Sequence, residues 1–315
     1  MCIRARALSF SPTSEYQLAS TGDIDLAMLG LEAQAFFDGQ TEEVLADLVA
    51  AGSSGGARPK AQFYISPDEP DRCRTVARTG DEAWLVKFTS RNLPLGHEEG
   101  LCEAVYLHLA GKLGLEPPEW RLFEAPEQSG ARAWLGVKRF DWISRHQKAG
   151  RRHMHSACGL LDADFRTPSL DYEDLIKVSR HLCRSPAVGK LQFRRAMFNL
   201  FACNQDDHSK NWAFLQDDAG EWTPAPFYDV TFSPHPYQEH ATAYAGFGKN
   251  PPLKAIRVLA ARAGYAKWEQ AKHDIDEIVD VLGDFAVIAR EFGVDSGVAE
   301  LIDRQLAGLR DGYEG

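Results

Sequence analysis

A short polar stretch, residues 204–212, holds the densest set of chemically useful side chains in the sequence. Within it, Asp206 and Asn211 are separated by four residues, and Asp229 follows eighteen positions after Asn211 at the end of an apolar run. A carboxylate can accept the proton of an attacking hydroxyl, and carboxylate and amide oxygens are hard ligands that suit magnesium. Asn211 and Asp229 are therefore a chemically sensible pair of magnesium ligands, and Asp206 is a candidate proton acceptor.

The spacing of Asp206 and Asn211 is that of a kinase catalytic loop, D-x-x-x-x-N. This pattern also occurs by chance, and a solvated polar turn is the alternative interpretation of the stretch by itself. A hydrolase cluster of Asp206, Asp207 and His208 is a second alternative, but it accounts for neither Asn211 nor the upstream lysine described next. We expect His208 to fix the catalytic loop through hydrogen bonds rather than to bind metal.

Phosphoryl transfer also needs a cation on the nucleotide phosphates, and Lys87 is the candidate. It lies in the apolar run 83–88, where a buried lysine requires an acidic partner. Glu103, in the next predicted helix, is the natural partner; a lysine that faces water at a sheet edge is the alternative. Upstream, the small residues at 50–57 can cradle phosphates through backbone N–H groups, although they are also typical of a flexible turn. They are not a Walker A loop, because the sequence contains neither Gly-Lys-Ser nor Gly-Lys-Thr.

Hydrophobic periodicity indicates the elements that must position these residues. It predicts strands at 61–65, 83–88, 121–123, 133–137, 213–215 and 222–223, and helices at 25–37, 42–49, 97–113, 171–183, 188–201, 253–263, 267–292 and 296–309. A mixed part is followed by a mostly helical part. The order therefore predicts an α/β (α+β) protein with two lobes, residues 1–140 and 141–315, and a cleft near their junction. A scaffold without catalysis is the alternative.

Composition narrows the class of protein. The chain has 315 residues and a formal net charge of -10, which argues against non-specific electrostatic binding of nucleic acid by the whole protein. No apolar run is long enough to span a membrane, and the first residues lack the pattern of a signal peptide. Six scattered cysteines without a C-x-x-C pair fit reduced thiols. We therefore expect a cytoplasmic protein that binds neither membrane nor, directly, nucleic acid.

Two further features admit more than one interpretation. Basic residues at 138–152 can face RNA or an acidic protein, although a solvated loop is the plainer interpretation. His153 and His155 form an H-x-H pair, which in a strand can bind metal. Because the flanking residues are polar and no strand is predicted before the pair, we expect a mobile loop here.

Taken together and in this order, the motifs resemble those of the HipA-type serine/threonine kinases. The resemblance covers about residues 40–310 and depends on the stretches 53–60, 138–141, 206–211 and 227–229, and on Lys87. It implies a bilobal, protein-kinase-like fold of the HipA and phosphatidylinositol-kinase-like type, with a small mixed N-terminal lobe and a mostly helical C-terminal lobe. It also implies ATP and Mg²⁺ as cofactors.

The resemblance implies roles for individual residues. Asp206 would be the catalytic base, assisted by Lys87 and His208, and Asn211 and Asp229 would bind magnesium. The backbone of residues 138–140 would read adenine, with Asp141 near the ribose. The full set of implied nucleotide-binding residues is Gly55, Gly56, Ala57, Lys60, Lys87, Glu103, Lys138, Arg139, Phe140 and Asp141. Ser53 and Ser54 match the autophosphorylation position of the family.

By the same resemblance, the chain is the toxin of a toxin–antitoxin system that inhibits growth by phosphorylating a translation-related protein, such as an aminoacyl-tRNA synthetase. A cognate antitoxin is the expected partner. The sequence resembles the shorter, core-kinase members, for which a separate small protein can supply the N-terminal subdomain of the longer ones. A lipid or small-molecule kinase on the same scaffold, and an inactive partner-binding module, are the alternatives.

Overall fold

The computed structural model describes residues 23–39, 58–145, 148–164 and 170–314, and the chain divides into two compact units. The first comprises Met1–Ala104 and Pro118–His153, and the second comprises Val105–Pro117 and Met154–Gly315. The helix predicted at 42–49 lies outside the described residues. The lobe boundary predicted at residue 140 stays a prediction.

An antiparallel sheet is the scaffold of the first unit. Its strands are β1 (Asp23–Ile24), β2 (Lys60–Ser66), β3 (Glu69–Arg74), β4 (Glu82–Lys87), β5 (Trp120–Glu124) and β6 (Ala133–Lys138). They pair in the order β1-β3-β2-β4-β6-β5, so β4 is an inner strand, and all of its residues after the first are buried. A hairpin of β7 (Trp142–Arg145) and β8 (Lys148–Arg151) follows.

Helix α1 (Leu26–Phe37) packs against this sheet, where Leu29 shares one buried cluster with Phe63 and Trp134. Glycine inside a helix costs about 1 kcal/mol relative to alanine. Gly30 is nevertheless required, because a Cβ at this position would lie 2.1 Å from the Trp134 ring. The close approach of helix and ring therefore explains an otherwise unfavourable residue.

Helix α2 (Glu99–Lys112) follows a single 3₁₀ turn at Gly96–Glu98, close to the predicted bounds of 97–113. Its residues up to Ala104 belong to the first unit and the rest to the second. The first part contributes two buried carboxylates, Glu99 and Glu103.

Helices dominate the second unit. They are α3 (Ala157–Leu160), α4 (Tyr172–Cys183), α5 (Pro186–Phe201), α6 (Leu253–Ala263), α7 (Trp268–Gly283), α8 (Phe285–Glu291) and α9 (Ser296–Glu314). Every residue from 195 to 201 of α5 is buried, which is typical of a helix inside a core. Because α5 ends at Phe201 and its last residues are buried, the polar stretch 204–212 follows a helix that is held in the core.

A continuous helix over 267–292 is wrong: α7 and α8 are separate helices that meet at Asp284. Asp284 closes one helix and begins the next, and Gly283 before it has a low helix propensity. Apolar periodicity carries across this junction, which is why the sequence pattern does not reveal it. In the part of the chain that the structure describes, no helix is both long and apolar enough to cross a membrane.

The H-x-H pair lies on a strand, so the predicted mobile loop is also wrong. Strand β9 (His153–Ser156) forms a three-stranded sheet with β10 (Ala213–Gln216) and β11 (Trp222–Pro224), in the order β11-β10-β9. The hydrogen-bonding partner of β9 comes from a strand far along the chain. Its own polar sequence therefore gives no local signal of strand structure.

Candidate active site

The phosphate-binding candidates lie in the first unit, where Lys87 contacts its predicted partner Glu103. The Lys87 side chain is 5% exposed and that of Glu103 is 1% exposed. Lys87 Nζ donates a hydrogen bond to Glu103 Oε1. An unpaired buried charge is strongly unfavourable, so each of these two side chains depends on the other for its burial.

Arg58 adds a second cation to this pair, and sequence reasoning missed it. Its Nη2 lies 2.8 Å from Glu99 Oε2, and its Nη1 lies 3.3 Å from Glu103 Oε2. Burial raises the pKa of Glu99 above its ordinary value, and the Arg58 guanidinium opposes that rise. The signal that could have found Arg58 is its position directly after the small residues at 50–57.

Lys60 lies beside Lys87 on the neighbouring strand. The two lysines are direct partners in the antiparallel register of β2 and β4, so their side chains leave the sheet on the same face. Both are buried. Like charges directly opposite each other are unfavourable by themselves, and a polyphosphate is the kind of ligand that such a concentration of cations suits.

Lys138, at the start of the predicted adenine hinge, is tied to acids of its own unit. Its Nζ donates to Glu82 Oε1 at 2.6 Å and to Glu119 Oε2 at 2.8 Å. Partial burial acts to lower the pKa of Lys138, but the hydrogen bonds to Glu119 and Glu82 raise it overall. Its backbone N–H donates to the Glu119 carbonyl at 2.8 Å. The part of Lys138 in nucleotide binding stays a prediction.

The next hinge residues are also bound within the first unit. Arg139 Nε donates to Asp141 Oδ1 at 2.9 Å, its Nη2 donates to the other carboxylate oxygen, and its Nη1 donates to Gln62 Oε1. The Arg139 backbone N–H donates to the Ala83 carbonyl at 2.8 Å. Asp141 is buried and Phe140 is half-buried. Lys138 is the last residue of β6 and residues 139–141 follow it directly, while their roles toward adenine and ribose stay predictions.

The catalytic-loop candidates lie in the second unit, after α5. The Asp206 side chain is 65% exposed. Asn211 Nδ2 donates to the Asp206 carbonyl at 3.2 Å, and the Asn211 backbone N–H donates to the His208 carbonyl at 2.8 Å. Because the nitrogen end of the Asn211 amide is turned to a carbonyl, its Oδ1 is the end with the chemistry of a metal ligand.

His208 is within the electrostatic influence of two acids, Asp206 and Asp229. Its Nε2 is 3.7 Å from Asp206 Oδ1, which is longer than a hydrogen bond. Burial lowers the pKa of His208, while the charges of Asp206 and Asp229 oppose this. Asp229 has a left-handed backbone, with φ of 58°, and the preceding Tyr228 donates its hydroxyl to the Lys210 carbonyl at 2.7 Å. The structure thus groups Asp206, His208 and Asp229 around one loop.

Asp207 supports the loop from inside the protein, a role that sequence reasoning missed. Its carboxylate accepts hydrogen bonds from the Tyr172 hydroxyl at 2.6 Å, from His240 Nδ1 at 2.9 Å and from the Thr242 backbone N–H at 3.2 Å. The Thr242 hydroxyl donates to the Asp207 carbonyl at 2.7 Å. Burial and the Asp207 charge raise the pKa of Tyr172 well above its ordinary value, so this hydroxyl remains a donor.

A continuous chain of hydrogen bonds links this buried carboxylate to the backbone of Asp206. The Asp206 backbone N–H donates to Ser233 Oγ, and the Ser233 hydroxyl donates to Asn204 Oδ1. The Asn204 amide nitrogen donates to Asn199 Oδ1, and the Asn199 amide nitrogen donates to the Tyr172 hydroxyl oxygen. The Tyr172 hydroxyl then donates to the Asp207 carboxylate. The distances lie between 2.6 and 3.2 Å. The exposed base is therefore attached through its backbone to a rigid polar interior.

The side chains at this loop suit magnesium better than an ion that needs three or more protein ligands. Among the described residues, no group of three or more His, Cys, Asp or Glu side chains converges in a way that could hold an ion. Magnesium needs only one or two protein oxygens, because it keeps waters and binds substrate phosphates. Asn211 and Asp229, the predicted ligands, carry oxygens of this kind, and their role toward magnesium stays a prediction. The predicted loop residues Ser53, Ser54, Gly55, Gly56 and Ala57 lie outside the described residues.

Comparisons with known proteins identify the family to which the chain is similar. Residues 52–286 match the family model of the HipA-like C-terminal domain. The Shewanella oneidensis serine/threonine-protein kinase toxin HipA is 26% identical over 197 residues, which is 56% of this chain and 42% of that protein. Relatives from Haemophilus influenzae and Sinorhizobium fredii carry the word kinase in their names and are 26% and 31% identical over 78% and 41% of this chain. The chain spans 31% to 67% of the length of these three relatives.

The fold is also similar to that of a solved HipA structure. A solved structure of Shewanella oneidensis HipA, in complex with HipB and its operator DNA, superposes with a TM-score of 0.61 at 19% identity, covering 84% of this chain and 65% of that one. The predicted kinase-like fold is therefore confirmed. Since the family model matches well over half of the sequence, the chain belongs to the HipA-type kinase family.

Proposed function

We propose that the chain is an ATP- and magnesium-dependent serine/threonine protein kinase. The observation that carries the proposal is the loop at 206–211. It combines an exposed carboxylate with an oriented amide, next to a second acid at Asp229. An exposed carboxylate can meet an incoming hydroxyl, and the oxygen ligands beside it can hold the metal that the phosphates need.

Asp206 accepts the proton of the serine or threonine hydroxyl as the hydroxyl oxygen bonds to the γ-phosphorus of ATP. The bond from that phosphorus to the β,γ-bridging oxygen breaks, and ADP leaves. His208 suits a neutral supporting role, because its pKa is lowered by burial and its ring is not within hydrogen-bond distance of Asp206. The Asp206 carboxylate is therefore left open to the acceptor hydroxyl.

Lys87 neutralises phosphate charge in the proposed reaction, with Lys60 beside it on the next strand. Glu103 holds the Lys87 side chain, and Arg58 reaches the same glutamate. Magnesium, held by Asn211 and Asp229, would supply further charge neutralisation on the phosphates. Fixed charges at positions where charge develops contribute much of the barrier reduction in phosphoryl transfer.

The biological role that we propose follows the relatives. The chain acts as the toxin of a toxin–antitoxin pair, with a cognate antitoxin as its partner, as HipB is present with HipA in the Shewanella complex. It modifies a translation-related protein such as an aminoacyl-tRNA synthetase. It also phosphorylates itself at Ser53 or Ser54, which would place a charge of about -2 in the loop that is to cradle ATP and so repel the nucleotide.

The proposal is tested by incubating the purified chain with γ-labelled ATP, magnesium and a protein extract of bacterial cells. We expect label on serine or threonine of the chain itself and of at least one extract protein. Asp206→Asn should remove this label. Asp218→Asn, which makes the same change at an exposed position of the same unit, should retain it.

Mass spectrometry locates the label in the chain, and Ser53→Ala and Ser54→Ala variants assign it. Label that appears only on added phosphatidylinositol vesicles or on a small hydroxylated metabolite would replace the protein kinase with a lipid or small-molecule kinase. An absence of ATP binding by calorimetry, with the fold intact by circular dichroism, would leave only an inactive binding module.

A further inference from the structure

A cationic cavity lies in the second unit, outside the loop just described. It has a volume of about 440 Å³ and opens where the end of α4, the start of α5 and the end of α6 meet. Its polar lining comes from Lys177, Arg180, His181, Arg184, Ser185 and Arg262. Four of these side chains, those of the lysine and the three arginines, carry a positive charge.

The basic residues form a stripe on α4. Lys177, Arg180, His181 and Arg184 follow the spacing i, i+3, i+4 and i+7, which places them on one side of the helix. Cations in the last turn of a helix are favourable because they face its negative end, and this accounts for Arg180 and His181. It accounts for neither Lys177, a turn earlier, nor Arg262, which comes from another helix.

Few acids offset these charges. Arg262 Nε donates to Glu173 Oε1 at 2.6 Å, and Arg180 Nη1 donates to the Arg262 carbonyl. Within the part of the chain that the structure describes, no ion pair joins Lys177, His181 or Arg184 to a carboxylate. Like charges three and four residues apart destabilise a helix, so an anion in the cavity would relieve this repulsion.

The backbone at Arg184 is a second, independent observation. This residue ends α4 in the left-handed conformation, with φ of 49° and ψ of 33°. Glycine is the favoured residue at such a position, because a Cβ there is strained. An arginine therefore occupies this position at a cost in stability, and its side chain lines the cavity. Ser185, the next residue, makes no side-chain capping bond to α5.

We propose that this cavity binds a phosphate monoester, as carried by a phosphorylated side chain or a small phosphorylated molecule. Such a group has a charge of nearly -2 at neutral pH and three terminal oxygens, which match several arginine forks and a lysine. A carboxylate would leave most of the positive charge uncompensated. Nucleic acid is less suitable, because none of the described residues that line the cavity is aromatic and could stack on a base.

Calorimetry on the full chain, without nucleotide, tests the site. The probes are N-acetyl-phosphoserine methylamide, its unphosphorylated form, inorganic phosphate and a twelve-residue oligothymidylate. We expect the phosphoserine probe to bind and its unphosphorylated form not to bind. Comparison with inorganic phosphate tells whether the site reads a phosphorylated side chain or the phosphate group alone.

The test variant is Lys177→Gln/Arg184→Gln, which changes two exposed side chains of the cavity. Its Kd for the phosphoserine probe should rise at least tenfold. The matched control is Lys249→Gln/Lys254→Gln, which removes two exposed cations of the same unit away from the cavity and should stay within twofold of the wild type.

Three outcomes would overturn the proposal: no binding of either phosphate probe, equal affinity in both double variants, or tighter binding of the oligonucleotide than of phosphoserine. The last would assign the surface to nucleic acid. Because no ATP is added and no transfer is measured, a failure here leaves the proposed kinase activity untouched. A failure of the kinase assay likewise leaves this site untouched.

Discussion

The charged side chains of the candidate site differ in burial between the first unit and the catalytic loop of the second unit. Lys87 and Glu103 are both buried and touch each other. Asp206 is exposed, and the buried charge in its region belongs to the adjacent Asp207. In the first unit, the proposed phosphate-binding lysine and the glutamate that supports it form one ion pair. In the second unit, the proposed base, Asp206, and the carboxylate that supports its loop, Asp207, are two different residues.

The difference follows from what each group must meet. A lysine that neutralises phosphate can stay paired and buried, because the ligand adds oxygen atoms to an existing charge cluster. A base that receives a proton from a variable protein acceptor has to be open, and an open side chain needs its backbone fixed from behind. Substitutions in the first region should therefore affect both stability and activity, while those at Asp206 should affect activity alone.

Asp206→Asn gives the largest expected effect and the strictest test of that separation. Removing a general base typically lowers a rate by about 10² to 10⁴-fold, and we expect a loss of this size in the initial rate of label transfer. The melting temperature should stay within about 1 °C of the wild type, since changes at exposed positions usually alter stability by less than about 0.5 kcal/mol. A transfer rate near that of the wild type would remove Asp206 from the role of base.

Lys87→Gln should lower both stability and transfer, which sharpens the contrast. Breaking one side of a buried ion pair typically costs about 3 to 5 kcal/mol, because the remaining charge stays buried without its partner. Arg58 still reaches Glu103 and keeps the loss at the lower end of that range. Denaturant unfolding measures the stability, and the label assay measures transfer.

The double variant Lys87→Gln/Glu103→Gln separates the two effects. It should recover most of the lost unfolding free energy while remaining inactive. Lys272→Gln, which breaks an exposed pair with Asp276, serves as the control and should cost under about 0.5 kcal/mol. If Lys87→Gln unfolds with the wild-type free energy, the buried pair is not the support that the structure implies.

Local chemistry made parts of this site predictable from sequence. A lysine in an apolar strand requires an acid, which leads to Glu103, and the spacing of Asp206 and Asn211 identifies the loop. The support of the loop was not predictable, because Tyr172, His240 and Thr242 lie 33 to 35 residues from Asp207 and belong to no local motif. Hydrophobic periodicity likewise did not predict the break at Asp284, because the apolar spacing continues there although one helix ends and another begins.

Asp207→Asn tests the supporting acid with a smaller expected effect. Hydrogen bonds to a charged group are worth about 1.5 to 3 kcal/mol, so we expect the unfolding free energy to fall by about 2 kcal/mol. The kcat of transfer should fall roughly tenfold with an unchanged KM for ATP, since a small displacement of the base is costly. Tyr172→Phe keeps the carboxylate and should have the milder form of both effects. A loss of stability without a change in kcat would leave Asp207 a purely structural residue.

His208 should give the smallest effect, visible as a dependence on pH. Burial lowers its folded-state pKa below the ordinary value of about 6.5, so the unfolded chain binds the proton more readily. Its contribution to stability is therefore present above about pH 6.5 and is lost as the pH falls through the lowered folded-state pKa. Between pH 7.5 and 5.5, the unfolding free energy of His208→Gln should decline less steeply than that of the wild type. His273→Gln, at an exposed position of α7, should follow the wild-type slope. Parallel curves for His208→Gln and the wild type would mean that the ring beside Asp206 is not held in its neutral form by burial.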